Sequence, residues 1–192
     1  MPKIVDHDAR RLELVEATWR IIARMGPEAA TMRQIALEAG FANGALKPYF
    51  PSKDTLLAFA FGHVLNRTNA RIAEAKQGQR GLAALRIFCQ EILPLDAERL
   101  NEARIVIPFW QQAVQDPEKS DLYRRSMDQW RAAILAHLHE ARIDGEVTTA
   151  VEDPIIAAQL LDMLLGAQVT AVFGDDLADI QRRTDDYFTL LR

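Results

Sequence analysis

Thr31-Met-Arg-Gln-Ile-Ala-Leu-Glu-Ala-Gly40-Phe-Ala-Asn-Gly-Ala-Leu-Lys-Pro-Tyr-Phe50-Pro-Ser-Lys53 is the stretch on which the fold of this chain turns. Thr31 is a residue type that caps helices, and Met32, Ile35, Ala36 and Ala39 follow on one face at steps of three and four. Gly40 ends that short helix, since glycine readily takes the left-handed conformation of a helix terminus. Asn43 can cap another short helix running towards Phe50, after which Pro51 breaks the chain and Ser52 caps the next. Two short helices across a glycine-containing turn, with Ala36 and Ala39 small enough for close crossing, predict a helix-turn-helix. In such a unit the second helix is the reader: Gly44 and Ala45 allow its amino end to approach base edges, and Lys47 and Tyr49 supply longer polar arms.

Outward from this stretch the spacing stays helical, and no strand-like alternation persists. Upstream, Leu12, Val15, Trp19 and Ile22 form one stripe that stops at Gly26-Pro27. Downstream, Leu57, Phe61, Val64, Leu65, Thr68 and Ile72 keep one stripe for about five turns, up to the polar run 76–81. Leu82, Leu85, Phe88, Cys89 and Ile92 make the next, closed by Pro94. A helix from about Asp96 to Gln115 contains Pro108, which removes a backbone donor and predicts a kink. Asp116-Pro117 and Asp153-Pro154 are two copies of one start signal, a cap followed by proline at the first helical position. The first opens a helix carrying Met127, Trp130, Ile134 and Leu138, and the second one that is apolar almost all round. A last helix begins at Asp175 or Asp176 and carries Leu177, Ile180, Thr184, Tyr187, Phe188 and Leu191. The expectation is an all-α chain of nine helices, three in a head over residues 1–53 and six in a body over residues 54–192.

Composition agrees with a globular chain: 49% hydrophobic and 26% charged among 192 residues, enough to bury a core. Cys89 is the single cysteine, so no intramolecular disulfide forms, and a reducing compartment is expected. The amino end is charged and lacks the apolar core of a secretory signal, so a cytoplasmic location is expected. Residues 154–173 have the length of a membrane span but carry Gln159, Asp162 and Gln168. An aspartate near the centre of a span costs about 2.5–3.5 kcal/mol, which favours a buried helix and no membrane role. Residues 1–53 hold eight Lys or Arg against six Asp or Glu, while the rest of the chain is acidic. A mildly basic head on an acidic body suits an end presented to phosphate.

The quoted stretch resembles the DNA-binding signature of the TetR family at Thr31, Ile35, Ala36, Ala39, Gly40, Gly44, Leu46, Tyr49, Phe50, Lys53, Leu56 and Leu57. The resemblance covers roughly residues 8–60. It implies a ligand-responsive repressor that binds a palindromic operator as a homodimer and is released by a small-molecule inducer. It also implies that the last two helices, near 154–173 and 176–191, make the dimer contact. In the body, Leu85-Arg-Ile-Phe-Cys-Gln-Glu-Ile-Leu-Pro-Leu-Asp96 and Phe109-Trp110 are similar to the choline-responsive, betaine-pathway branch of that family. Carried over residue by residue, Thr31, Gln34, Tyr49 and Lys53 touch phosphates, helped by the free backbone donors of helix amino ends. Asn43, Gly44, Ala45 and Lys47 face the major groove, where all four base pairs are distinguishable. Two positions depart from the family pattern. Lys47 stands where many members carry tyrosine, and Pro48 sits inside the reading helix, where it cannot donate back to Gly44 and should bend the helix or end it early.

Effector candidates are the large apolar residues at helical spacing in the body: Phe61, Phe88, Phe109, Trp110, Met127, Trp130 and Met163. Each also reads as plain core, and two indoles facing one cavity would suit a cationic or flat aromatic inducer. His137 and His139 are two apart and point to different helix faces, so no metal pair and no cofactor are expected. The rival classes are a helical enzyme and an adaptor without DNA binding. A di-iron helical enzyme needs Glu-x-x-His pairs, a hydrolase a nucleophile elbow and a nucleotide enzyme a phosphate loop. None of these motifs occurs in the sequence, so no catalytic role is expected.

Overall fold

The computed structural model describes residues 7–42 and 44–192, and every described element is helical. In chain order these are α1 (His7–Met25), a single 3-10 turn (Pro27–Ala29), α2 (Met32–Glu38), α3 (Lys53–Lys76), α4 (Gly81–Ile92), α5 (Ala97–Ala113), α6 (Pro117–Ile143), α7 (Asp153–Val172) and α8 (Leu177–Leu190).

The head forms as its caps dictate. Leu14, Val15, Ala17, Thr18, Ile21 and Ile22 are the buried face of α1. The Thr31 hydroxyl accepts from the Gln34 amide at 3.2 Å and starts α2. Gly40 ends it at φ +73°, and the Phe41 amide reaches back to the Ala36 carbonyl at 2.8 Å. Ser52 and Thr55 cap one another reciprocally at the start of α3.

The reading segment differs from its expectation. Residues 44–49 form consecutive turns rather than a helix, so eight α-helices stand among the described residues. Ala45 donates to Ala42, Lys47 to Gly44 at a long 3.5 Å, and Tyr49 to Leu46, all across three residues. Pro48 supplies the physical reason. It has no N–H to return to Gly44, so the ladder of four-residue bonds cannot propagate. Leu46 and Phe50, both buried, hold the segment to the head core instead.

Two hydrophobic clusters fill the molecule. One joins α4, α6, α7 and α8 through residues such as Leu85, Phe88, Ile134, Leu160, Leu164 and Phe188. The other is the head core, and it reaches beyond the head: Ile105, Val106, Phe109 and Ala113 of α5 belong to it together with Leu14, Ile21, Ile35, Phe50 and Phe61. α5 runs unbroken through Pro108. α4 starts without a side-chain cap of its own; the amides of Gly81 and Leu82 are capped from α6 and its following loop, by Glu140 and Glu146 at 3.0 and 2.8 Å.

α7 is long and apolar enough to cross a membrane by length and composition, but it packs against α5, α6 and α8. Its other face stays uncovered, with Ile155 and Phe173 exposed at its two ends. Tyr187 of α8 donates to Gln159 on α7 at 2.9 Å, and exposed Leu190 lies one turn further along α8.

Candidate nucleic-acid interface and body cavity

On the head surface, Thr31 and Gln34 lie exposed at the amino end of α2, and Gly44 and Lys47 are exposed on the turn segment, with Ala45 half-buried. Asn43 lies outside the described residues. The Tyr49 ring is clamped between His7, at 4.9 Å, and Phe41, edge-on at 5.9 Å, which fixes where its hydroxyl can reach. Lys53 is already engaged: its Nζ donates to the Pro27 carbonyl at 2.9 Å, tying the start of α3 to the turn before α2.

Pairing sorts the remaining head cations. Arg20 and Arg24 both bond Glu38, at 2.9 and 2.6 Å, and hold that carboxyl below the ordinary carboxylate range. Arg10 pairs with Glu13, and Arg11 lies over the rings of Phe50 and Phe59 at 5.1 and 4.5 Å. Among the described residues Arg33 and Lys47 have no ion pair, and both are exposed. Arg33 sits beside Thr31 and Gln34, and sequence reading missed it. Its signal was available: an arginine in the first turn of a helix whose amino end faces outward.

The body holds a narrow, partly open cavity bounded by α3, α4, α5, α6 and α7. Four of the seven expected effector residues line it: Phe61, Trp110, Met127 and Trp130. Phe109 lies behind Phe61, Phe88 packs edge-on to Trp130 at 6.1 Å, and Met163 packs half-buried against the body core.

The polar wall of the cavity was not foreseen. Thr68, Arg99, Glu102 and Gln168 line it. Glu102 is almost fully buried, and Arg71 forks onto both its oxygens at 3.0 and 2.9 Å. Glu91 accepts from Arg71 at 3.1 Å and from Arg99 at 2.6 Å. The bonds from Glu102 and Glu91 raise the Arg71 pKa above its ordinary value, against the opposing effect of burial. The signal for this cluster was a matched spacing: Arg67 and Arg71 four apart on α3, Glu98 and Glu102 four apart on α5, with Arg67 pairing to Glu98.

An all-helical chain with a short helix and an exposed turn segment at the helix-turn-helix position at one end, and a cavity in the helical body beyond it, has the build of a ligand-responsive, DNA-binding regulator. Residues 14–59 match the model of bacterial regulatory proteins of the tetR family, and residues 81–189 match that of the BetI-type transcriptional repressor C-terminal region. The chain is 29% identical to the HTH-type transcriptional regulator PksA of Bacillus subtilis, over 95% of this chain and 99% of that one. It is 30% identical to the regulator BetI of Burkholderia lata over 61% of each chain. A transcriptional regulator from Saccharomonospora viridis, solved in complex with choline, superposes with a TM-score of 0.85 over 95% of this chain and 96% of that one, at 21% identity. The chain belongs to the tetR family of bacterial regulatory proteins, with a C-terminal region of the BetI repressor type. It is a DNA-binding transcriptional repressor of the ligand-responsive kind.

Proposed function

We propose that the chain acts in the cytoplasm as a homodimer that covers a palindromic operator and leaves it when a small molecule occupies the body cavity, without a catalytic step. Residues 1–53 form the DNA-binding unit and residues 54–192 the effector and dimer unit. Thr31, Gln34, Tyr49 and the amino end of α3 with Lys53 take phosphates; Asn43, Gly44, Ala45 and Lys47 face base edges. A phosphate at α3 draws Lys53 off the Pro27 carbonyl. α7 and α8 pair with their copies in a four-helix contact through the uncovered face that carries Ile155, Phe173 and Leu190. Two reading segments then lie in successive major grooves, roughly 34–36 Å apart.

One observation carries the ligand response: α5 belongs to both ends of the molecule. Glu102, Val106 and Trp110 on it line the cavity, while Ile105 and Phe109 on it complete the head core. An effector that pushes on the cavity face of α5 therefore moves residues packed against α1. It releases DNA to the degree that it prefers the conformer whose heads no longer match the operator.

A gel shift with DNA flanking the chain's own gene, repeated at several salt concentrations, tests this reading. A salt-sensitive shift is expected. Lys47→Ala with Tyr49→Ala abolishes it while sedimentation still reports a dimer; loss of the dimer in that variant refutes the assigned interface.

A further inference from the structure

Apolar burial brings two elements together without fixing the angle between them, because it has no direction; a cation over a ring and a charge-assisted bond do have one. The head meets the body through both kinds of contact. Ile105, Val106, Phe109 and Ala113 of α5 supply the apolar one. The directional one centres on Trp19 of α1, which borders a cleft against α3 and α5. His63 and Arg67, one turn apart on α3, both meet its ring. The imidazole lies tilted at 5.8 Å between centroids, and the guanidinium carbon stands 5.1 Å from the ring centre.

Arg67 is held from its other side by α5. It pairs with Glu98, and its Nε stands 4.0 Å from Glu102 Oε1. Glu102 in turn lines the body cavity and takes the Arg71 fork. One guanidinium of α3 thus touches the head helix on one side and the cavity-bearing helix on the other. The Arg67 and Glu98 side chains are 37% and 57% exposed, so their pair adds little to stability, and what it supplies is a preferred geometry. Arg20, in the same cleft, is turned to Glu38 within the head.

We infer that Arg67 is a positioning residue for operator binding: lying on Trp19 while tied to Glu98 and Glu102, it sets the angle of head to body and so the half-site spacing that the dimer accepts. This rests on the reading of the chain as a dimeric operator-binder.

Fluorescence anisotropy of the full chain tests it, on a duplex that the chain selects from random sequence and on versions with one or two base pairs inserted at its centre. Each inserted pair moves one half-site by about 3.4 Å and turns it by about 34°. The parent chain is expected to favour the selected length at least about tenfold over one inserted pair. Arg67→Met keeps an apolar stem against Trp19 but loses the charge, and is expected to narrow that ratio about fivefold over the two heads. Arg67→Lys keeps a cation over the ring and is expected to stay within about twofold of the parent. Trp19→Leu narrows the ratio as Arg67→Met does, and combining the two adds nothing further. An unchanged ratio in Arg67→Met, even with weaker binding at every length, overturns the assignment. So does a full effect of Arg67→Met in the Trp19→Leu background, or a ratio in Arg67→Lys as narrow as in Arg67→Met. If Trp19→Leu does not fold, the two Arg67 variants decide. A parent chain that binds no duplex overturns the operator reading and this assignment together, whereas a parent preference that Arg67→Met leaves intact overturns this assignment alone.

Discussion

Phe61 and Phe109 lie flat on one another, ring centroids 4.0 Å apart and planes 12° from parallel. Phe61 lines the effector cavity and Phe109 is fully buried in the core shared with the head, so this stack is where cavity and head meet. Phe109→Ala leaves a void beneath Phe61 and is expected to lower stability by about 3–5 kcal/mol. Urea denaturation measures it, and a loss under about 1 kcal/mol contradicts the packing described.

The Arg71–Glu102 fork predicts a pattern across a mutant cycle. Arg71→Met strips the buried Glu102 of the fork on both its oxygens and is expected to cost about 3 kcal/mol, whereas Glu102→Met leaves Arg71 paired with Glu91 and is expected to cost less. The double variant is expected to cost clearly less than the two losses added. Simple additivity in chemical denaturation would show that the pair is not coupled.

Arg33 and Lys47 are the unpaired, exposed cations of the described head, whereas Arg20 and Arg24 share Glu38. Arg33→Ala and Lys47→Ala are each expected to reduce the slope of log affinity against log salt by about 1 on operator DNA. Arg24→Ala is expected to leave the slope nearly unchanged. Fluorescence anisotropy over a salt series separates these outcomes.

Cys89 is completely buried in the body core, and desolvation pushes its thiol up to about 12. The reactive thiolate is therefore scarce at pH 8, and a water-soluble thiol reagent has no path to it. Labelling is expected only in denaturant, and rapid labelling of the native chain at that pH refutes the burial.

His137 is buried in α6 with Glu140 at 3.4 Å, and burial pulls its pKa below the ordinary histidine value. Its neutral form is the one the fold prefers, so its contribution is present above the unfolded pKa of about 6.5 and is lost as pH falls through the lower folded value. His63 is shifted the same way by burial and by Arg67, and so adds to the acid sensitivity. The drop in melting temperature from pH 7 to pH 5 is expected to be smaller in His137→Gln than in the parent chain. An equal drop in both assigns the sensitivity elsewhere.

The body helices were legible because their stripes and caps are local. Asp116 accepts from the Glu118 amide at 3.0 Å where a cap was read, and Asp96 accepts from the Arg99 amide at 2.8 Å where a helix start was read. α7 begins one residue earlier, with Glu152 in the cap position and no side-chain bond. In the reading segment the disruption by Pro48 was legible but its extent was not: one missing donor in so short a segment removes a large share of its ladder, and residues 44–49 form turns throughout. Gly81 was read as part of a polar run; in the structure it has φ +59°, and a side chain there would collide with Glu146.

The order of residues alone determined the all-helical class, the position of the helix-turn-helix and the apolar faces of most helices, because periodicity and capping act over one or two turns. Tertiary structure alone decided that α5 joins the cavity to the head core, that Lys53 is held by Pro27 and that Glu102 is spent on Arg71. Those relationships link residues tens of positions apart, and their partners are chosen by which helix faces come together, which no local pattern encodes.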